Sequence, residues 1–242
     1  IKIAEAHISK PFIRNLHRLA KKSMIYQIIG KIWTRKLDNA IKRMDALVVL
    51  TERDAEKWKK IKKATVIPNS LPFYPEASST CETKKIISVG RLDEQKGYDM
   101  LIDAWETVHK QHPDWKIIIY GNGELHDILK YAIIQKHLED SFILHEPVKD
   151  IMNQYLDSSI YVMSSRFEGF GMVLAEAMAC GVPCISFDCP YGPSDIIKDY
   201  VDGLMVENGN VVQLAQKISE LIEQEAIRKR MGQQAKLNIK RY

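Results

Sequence analysis

Three stretches of this sequence combine residue types that can hold an anionic, hydroxyl-rich ligand. The first is Ser88-Val89-Gly90-Arg91-Leu92-Asp93-Glu94-Gln95-Lys96-Gly97-Tyr98. An apolar run ends at Val89, a glycine lets the chain turn, and two cations follow before a helical pattern begins near Gly97. Strand ends that lead into helix starts are where open α/β sheets bind anions. Arg91 can fork onto a phosphate and Lys96 can add a point charge. A plain strand-to-helix turn with surface cations is the alternative.

The second stretch, Tyr120-Gly121-Asn122-Gly123-Glu124, opens like G-x-G-x-x-G, but His126 holds the third glycine position. It is a weak dinucleotide fingerprint and a reasonable turn for bringing a ligand near the backbone. The third runs from Ser164-Ser165-Arg166-Phe167-Glu168-Gly169-Phe170-Gly171-Met172 to Glu176 and on to Gly181-Val182-Pro183. Here a loop acid precedes two glycines, and a helix of small and apolar residues carries a second acid. The backbone N–H groups of Phe170, Gly171 and Met172 would open that helix as an anion site. Glu176 sits among apolar neighbours and needs a polar partner, which ribose hydroxyls would supply. Glu168 can accept hydrogen bonds from sugar hydroxyls; a surface Glu and a capping Glu are the bland reading.

The elements that must position these residues alternate. Val/Ile-rich runs predict strands at Ala46–Leu50, Thr65–Ile67, Ile86–Val89, Lys116–Tyr120, Ser141–His145, Ile160–Met163, Pro183–Phe187 and Leu204–Val206. They are continuous rather than alternating, as in parallel sheets covered on both faces. Helical periods fill Tyr98–Lys110, Glu124–His137, Lys149–Ser158, Met172–Ala179 and Val211–Glu223. Such alternation implies α/β units with right-handed crossovers. Pro11 to Met44 reads as a long basic helical stretch interrupted near Gly30, followed by a helix at Glu52–Ile61. The prolines Pro68, Pro72 and Pro75 with the run Ser78-Ser79-Thr80-Cys81 mark a linker.

Composition narrows the class. The chain has 242 residues, 45% apolar and 27% charged, which is ordinary for a globular protein and excludes an acidic disordered or collagen-like chain. No window of 18 apolar residues is present. The net charge of +4 hides an asymmetry: residues 1–83 carry 17 Lys+Arg against 8 Asp+Glu, and the remainder carries 18 against 23. A basic front facing lipid or nucleic-acid phosphate and a solvated helical surface both fit this imbalance. The four cysteines form no C-x-x-C, and Cys180 and Cys184 read as buried thiols in a reduced compartment.

Taken together, Gly90-Arg91…Lys96-Gly97, Gly121-x-Gly123, Glu168-x7-Glu176, Gly181-Val182-Pro183, the run from Phe187-Asp188-Cys189-Pro190 to Ile197, and Val201-Asp202-Gly203-Leu204 resemble the retaining glycosyltransferases of family 4, of the bacterial surface-polysaccharide type. The resemblance implies an α/β protein of GT-B type. Residues 84–225 would form a complete doubly wound, parallel-sheet donor domain. Residues 1–83 would be part of the N-terminal acceptor domain with the linker, and 226–242 a C-terminal helix returning toward the first domain. The activity implied is transfer of a sugar, with retention, from a nucleotide-diphospho-sugar such as a UDP-sugar to a saccharide or lipid-linked acceptor. Arg91 and Lys96 would contact the diphosphate, and Gly90, Gly121 and Gly123 would line the pocket. The loop at Val148 and Lys149 would hold the base, and Phe170, Gly171 and Met172 would offer N–H groups. Glu168 would orient the sugar and Glu176 would bind the ribose; Glu168, Arg91 and Lys96 would carry the catalysis.

No D-x-D is present, so no metal and no other cofactor is expected. The sequence departs from the family's pattern in lacking a glycine-rich loop and an acceptor-side His near its start. His7 is assigned a structural or acceptor-cleft role, and His145-Glu146-Pro147-Val148 replaces a glycine in the base loop. The chain reads as truncated at both ends and is expected to bind donor without transferring by itself. The resemblance places it in the cytoplasm, with the basic residues 10–63 on the anionic inner face of the plasma membrane. With no aromatic stacking array, nucleic acid is not an expected partner. The other readings are a non-catalytic nucleotide-sugar-binding module and a GT-B-type epimerase or phosphorylase.

Overall fold

The computed structural model describes residues 1–6 and 24–242. Within it the chain divides into two compact units. One contains residues 1–69 together with 168–170, and the other residues 70–167 and 171–242.

In the first unit, the described residues form a three-stranded parallel sheet in the order β1 (Ile3–Ala6), β2 (Ala46–Val49), β3 (Thr65–Val66). Ile3 pairs with Ala46, and Val48 with Thr65. Helix α1 (Met24–Lys42) turns Ile41 inward onto Leu47, Val49 and Trp58. Helix α2 (Glu52–Trp58) starts at Thr51, whose side-chain oxygen accepts from the Asp54 N–H at 3.2 Å. This is a side-chain cap at the Ncap position. The interruption expected near Gly30 does not occur, and α1 runs through it. One interior glycine costs a helix only about 1 kcal/mol, and the packing of Leu37 and Ile41 outweighs that. The Thr34 hydroxyl also donates to the Gly30 carbonyl at 2.9 Å. His7 and the basic residues Lys10, Arg14, Arg18, Lys21 and Lys22 lie outside the described residues.

The second unit contains a six-stranded, wholly parallel sheet. Its strands are β4 (Lys85–Val89), β5 (Lys116–Tyr120), β6 (Phe142–His145), β7 (Ile160–Met163), β8 (Cys184–Phe187) and β9 (Gly203–Val206). They lie in the order β6-β5-β4-β7-β8-β9. Each strand predicted from the sequence ends within one residue of its observed bounds. The order is the doubly wound one, in which the chain builds outward from β4 in one direction and then from β7 in the other.

Because side chains alternate along a strand, each strand serves two cores. Ile86, Ile117, Ile119, Ile160, Val162, Ile185 and Phe187 pack with Leu101 and Trp105 of α3 (Tyr98–Gln111), Ile133 of α4 (His126–Gln135) and Leu214 and Ile218 of α8 (Val211–Glu223). On the alternate positions, Tyr161 lies against Tyr155 of α5 (Ile151–Leu156), with ring centroids 6.1 Å apart. Cys184 Sγ approaches the Leu174 carbonyl of α6 (Met172–Ala179) at 3.8 Å. All four cysteines are buried free thiols.

The short helix α7 (Pro193–Ile196) and the last helix α9 (Glu225–Asn238) complete this unit. The proline-rich stretch before β4 is pinned along α9. Lys236 Nζ donates to the carbonyls of Glu76 (3.0 Å) and Ala77 (2.5 Å) and to Ser78 Oγ (2.9 Å). Buried Arg228 donates to the carbonyls of Cys81, Leu221 and Ile222 at 2.9, 2.5 and 2.8 Å.

Candidate functional site

The order of the strands reverses between β4 and β7, and at such a switch point the loops leaving the two carboxyl ends diverge and leave a crevice. Of the residues singled out in the sequence, Gly90, Arg91 and Lys96 follow β4, and Glu168, Phe170, Gly171 and Met172 follow β7. Gly90 and Arg91 follow β4 directly. A 3₁₀ turn, Glu94–Lys96, then presents Lys96 and closes on Gly97, which has φ 63°. A side chain at Gly97 would be strained, and its Cβ would run into the Ser164 carbonyl oxygen.

Asp93 organises this turn. Its Oδ1 accepts from the Lys96 N–H at 3.3 Å, and its Oδ2 lies 3.0 Å from Arg91 Nη2. The Arg91 side chain is otherwise well exposed. Lys96 folds back, so that a Cβ on Gly90 would meet its Cε at 2.9 Å and its Cδ at 3.1 Å. Both cations therefore belong to one loop at the carboxyl end of β4.

The loop after β5 lies directly against it. Gly90 N–H donates to the Tyr120 carbonyl at 3.1 Å, and Leu92 N–H to the Asn122 carbonyl at 2.8 Å. A Cβ on Gly121 would collide with the Gly90 carbonyl, so this glycine is needed for close backbone approach. Gly123 presses on the Leu92 backbone in the same way. Gly121 N–H reaches the His145 carbonyl at 2.9 Å, which ties in the loop after β6. Val148 is half-buried in that loop and Lys149 is exposed. The structure thus brings together Gly90, Arg91, Lys96, Gly121 and Gly123, with the Val148–Lys149 loop beside them.

The third stretch is divided. Glu168 and Phe170 are buried, and residues 168–170 belong with the first unit. Gly171, with φ 93°, and Met172 open α6 in the second. This helix start has no side-chain cap; the Leu174 N–H donates to the Gly171 carbonyl at 2.9 Å, and the N–H groups of Met172 and Val173 ahead of it have no carbonyl within the helix to reach.

Glu176, farther along α6, is partly buried. Its Oε2 accepts from the buried Tyr155 hydroxyl at 3.0 Å. Burial raises its carboxyl above the ordinary value, and the Tyr155 hydrogen bond offsets this in part. Burial also drives the Tyr155 hydroxyl well above the usual phenol range. The polar partner that Glu176 needs is therefore met on one oxygen from within the protein.

Sequence reasoning missed Tyr155, Asp93 and the pair Arg166–Asp99. Arg166 forks onto Asp99 with Nη1 at 2.8 Å and Nη2 at 2.6 Å. Burial, the largest single influence, would raise the Asp99 carboxyl, but the Arg166 fork and the Asp99 and Met100 backbone N–H groups together hold it below the ordinary range. Only the proximity of Arg166 to Glu168 in the chain could have drawn attention to it. Among the described residues, no three His, Cys, Asp or Glu side chains gather as a metal group.

The chain matches the family described as Glycosyl transferases group 1 over residues 75–238. It is 36% identical over 208 residues to the amylovoran biosynthesis glycosyltransferase AmsD of Erwinia amylovora, covering 82% of this chain and 58% of that protein. A Staphylococcus aureus TarM variant, crystallised with fondaparinux, alpha-GlcNAc-glycerol and UDP, shares its fold at TM-score 0.78 and 28% identity. That match covers 85% of this chain and 43% of TarM. The HepE protein of Anabaena, solved with UDP and glucose, matches in fold at TM-score 0.81 and 19% identity over 99% of this chain and 66% of its own.

The doubly wound sheet and these matches define an α/β protein of the GT-B fold class. The chain belongs to the glycosyl transferases group 1 family. It spans 58% of the length of AmsD.

Proposed function

We propose that the second unit is the donor-binding domain of a retaining family 4 glycosyltransferase that takes a UDP-sugar. The observation that carries this reading is the placement of Arg91 and Lys96 on one loop at the carboxyl end of β4, beside the strand-order switch. Two cations and an uncapped helix start fit a diphosphate. TarM and HepE were each solved with UDP, which supports uracil as the base, held by the backbone of the Val148–Lys149 loop.

In this reading Gly121 and Gly123 let the nucleotide approach the backbone, and Glu176 takes the ribose with the oxygen that Tyr155 leaves. Glu168 orients the donor sugar, and the N–H groups of Phe170, Gly171 and Met172 face the phosphate or sugar. Residues 1–83 supply part of the acceptor domain and linker, 84–225 the donor domain, and 226–242 a closing helix.

The chemistry follows from charge. As the glycosyl–phosphate bond breaks, negative charge builds on the diphosphate. Arg91, Lys96 and the start of α6 stabilise that charge in place. The absence of a D-x-D in the sequence motivates a metal-independent site. The acceptor attacks on the face the diphosphate leaves, the diphosphate takes the acceptor's proton, and configuration is retained. The acceptor is a saccharide or lipid-linked saccharide of a surface polysaccharide, assembled in the cytoplasm against the inner membrane face.

A thermal-shift panel of UDP, GDP, ADP and their sugars, with and without EDTA, tests the donor assignment. Stabilisation by UDP and UDP-sugars alone, unchanged by EDTA, is expected. Preference for another base, or loss in EDTA with rescue by Mg²⁺, would overturn the corresponding part.

A further inference from the structure

The turn that carries Lys96 is only three residues long and belongs to no strand or long helix, so its position must be set from outside. The loop that follows β7 sets it. Three successive carbonyls of the turn are satisfied by two residues of that loop, Ser164 and Arg166. The Glu94 carbonyl accepts from Arg166 Nη1 at 2.9 Å, the Gln95 carbonyl from the Arg166 N–H at 2.7 Å, and the Lys96 carbonyl from Ser164 Oγ at 2.9 Å. Gln95 Nε2 returns a bond to the Phe167 carbonyl at 3.0 Å. The guanidinium is itself locked by its fork onto Asp99, in the first turn of α3.

We propose that Arg166 is a positioning residue for the diphosphate-binding loop, with Asp99 as its counter-anchor: it fastens the Glu94–Lys96 turn across the strand-order switch and so fixes where the Lys96 charge sits. This rests on the reading of that loop as a nucleotide-sugar site.

The chemistry of the residue supports the role. One planar guanidinium serves a backbone carbonyl and both carboxylate oxygens at once, and a lysine ammonium has no such fork. An exposed ion pair by itself stabilises a fold little, and the side chains of Arg166 and Asp99 are 34% and 57% exposed. The pair's distinctive feature is therefore the geometry it imposes. Gly97 is pressed on the Ser164 carbonyl in the same clasp, so the turn has little slack.

Titrating the 242-residue chain with UDP and with uridine, which has no phosphate, separates positioning from folding. The variants are Arg166→Lys, Asp99→Asn, Lys96→Ala and the double variant Arg166→Lys/Lys96→Ala. Arg166→Lys and Asp99→Asn are expected to weaken UDP binding about tenfold and to leave uridine unchanged. The double variant is expected to bind UDP no worse than Lys96→Ala alone, because a misplaced charge and a missing one cost the same interaction. Unchanged UDP affinity in both single variants would overturn the role. So would parallel losses of UDP and uridine, or losses that add in the double variant. A wild-type chain that binds no UDP would overturn the nucleotide-sugar reading itself, and the positioning role with it.

Discussion

The hydroxyl of Tyr155, on α5, donates to Oε2 of Glu176, on α6, at 3.0 Å and joins two helices on the same face of the sheet. Burial raises the carboxyl of Glu176 despite this bond. The folded state thus binds the Glu176 proton more tightly than the unfolded chain does. Its stability contribution is complete below the ordinary carboxylate value and is lost as pH rises through the raised one.

Glu176→Gln cannot ionise and keeps an oxygen to accept from Tyr155. The variant is expected to be at least as stable as wild type at neutral pH, with the difference vanishing toward acid pH. Thermal unfolding between pH 4 and 8 reads this. A variant less stable than wild type at pH 7 contradicts the account.

Arg91→Ala and Lys96→Ala are each expected to weaken UDP binding by about 1–3 kcal/mol, the scale of charge-assisted hydrogen bonds. Neither side chain supports the core, so the unfolding midpoint should hardly move. Isothermal titration at two salt concentrations checks both points. Unchanged affinity in the two variants would remove the diphosphate assignment.

The thiols make a separate prediction. Cys180 is pushed up to about 12 by burial, and the Cys184 thiol lies well above its ordinary value for the same reason. Neither offers thiolate at neutral pH. A thiol reagent should leave both unmodified in the native chain and modify them after unfolding. Fast native labelling of Cys184, mapped by peptide mass, would contradict its place under α6.

Helix α1 exposes Ile28, Ile32 and Trp33 alongside Lys31 and Arg35, with the Lys36 ammonium 5.5 Å from the Trp33 ring. Apolar groups flanked by cations suit an anionic lipid surface. Co-sedimentation with anionic vesicles is expected to fall steeply with salt, because such attraction is screened within about 8 Å at physiological ionic strength. Equal binding to neutral vesicles would speak against it, as would no change in Ile32→Glu/Trp33→Glu.

Why some of this was legible in the sequence, and some not, follows from range. Runs such as Ile160-Tyr161-Val162-Met163 are buried on both faces and announce themselves locally, so the strands of the second unit were readable to within a residue. The glycines at 90, 97, 121 and 123 were visible as turn markers. Their packing against Ser164 or the facing loop was not, because strand order is set by crossovers. Tyr155 gives no sign of its hydroxyl's partner 21 residues away. Arg166 and Asp99 are 67 residues apart and meet only across the switch. Prolines 68, 72 and 75 read as a linker by composition, yet the chain that follows is held by Lys236 and Arg228, whose partners, Ser78 Oγ apart, are backbone carbonyls that no side-chain pattern marks.

The two acids of the third stretch should separate by ligand. Glu176 lies inside α6, past the helix start that would face the diphosphate, and Tyr155 holds one of its oxygens. On the proposed reading it takes the ribose, and Glu176→Gln should weaken UDP and UDP-sugar alike by about 1–2 kcal/mol. Tyr155→Phe should weaken both by less, about 0.5–1.5 kcal/mol, since it frees an oxygen without removing the carboxylate. Glu168 precedes the glycines and is assigned to the sugar. Glu168→Gln should leave plain UDP affinity nearly intact and lower transfer in the full-length enzyme. Isotherms for the variants with UDP and with the matching UDP-sugar decide the matter. If Glu168→Gln loses plain UDP as severely as Glu176→Gln does, the carboxylates do not divide the donor between them, and Glu168 must reach the nucleotide.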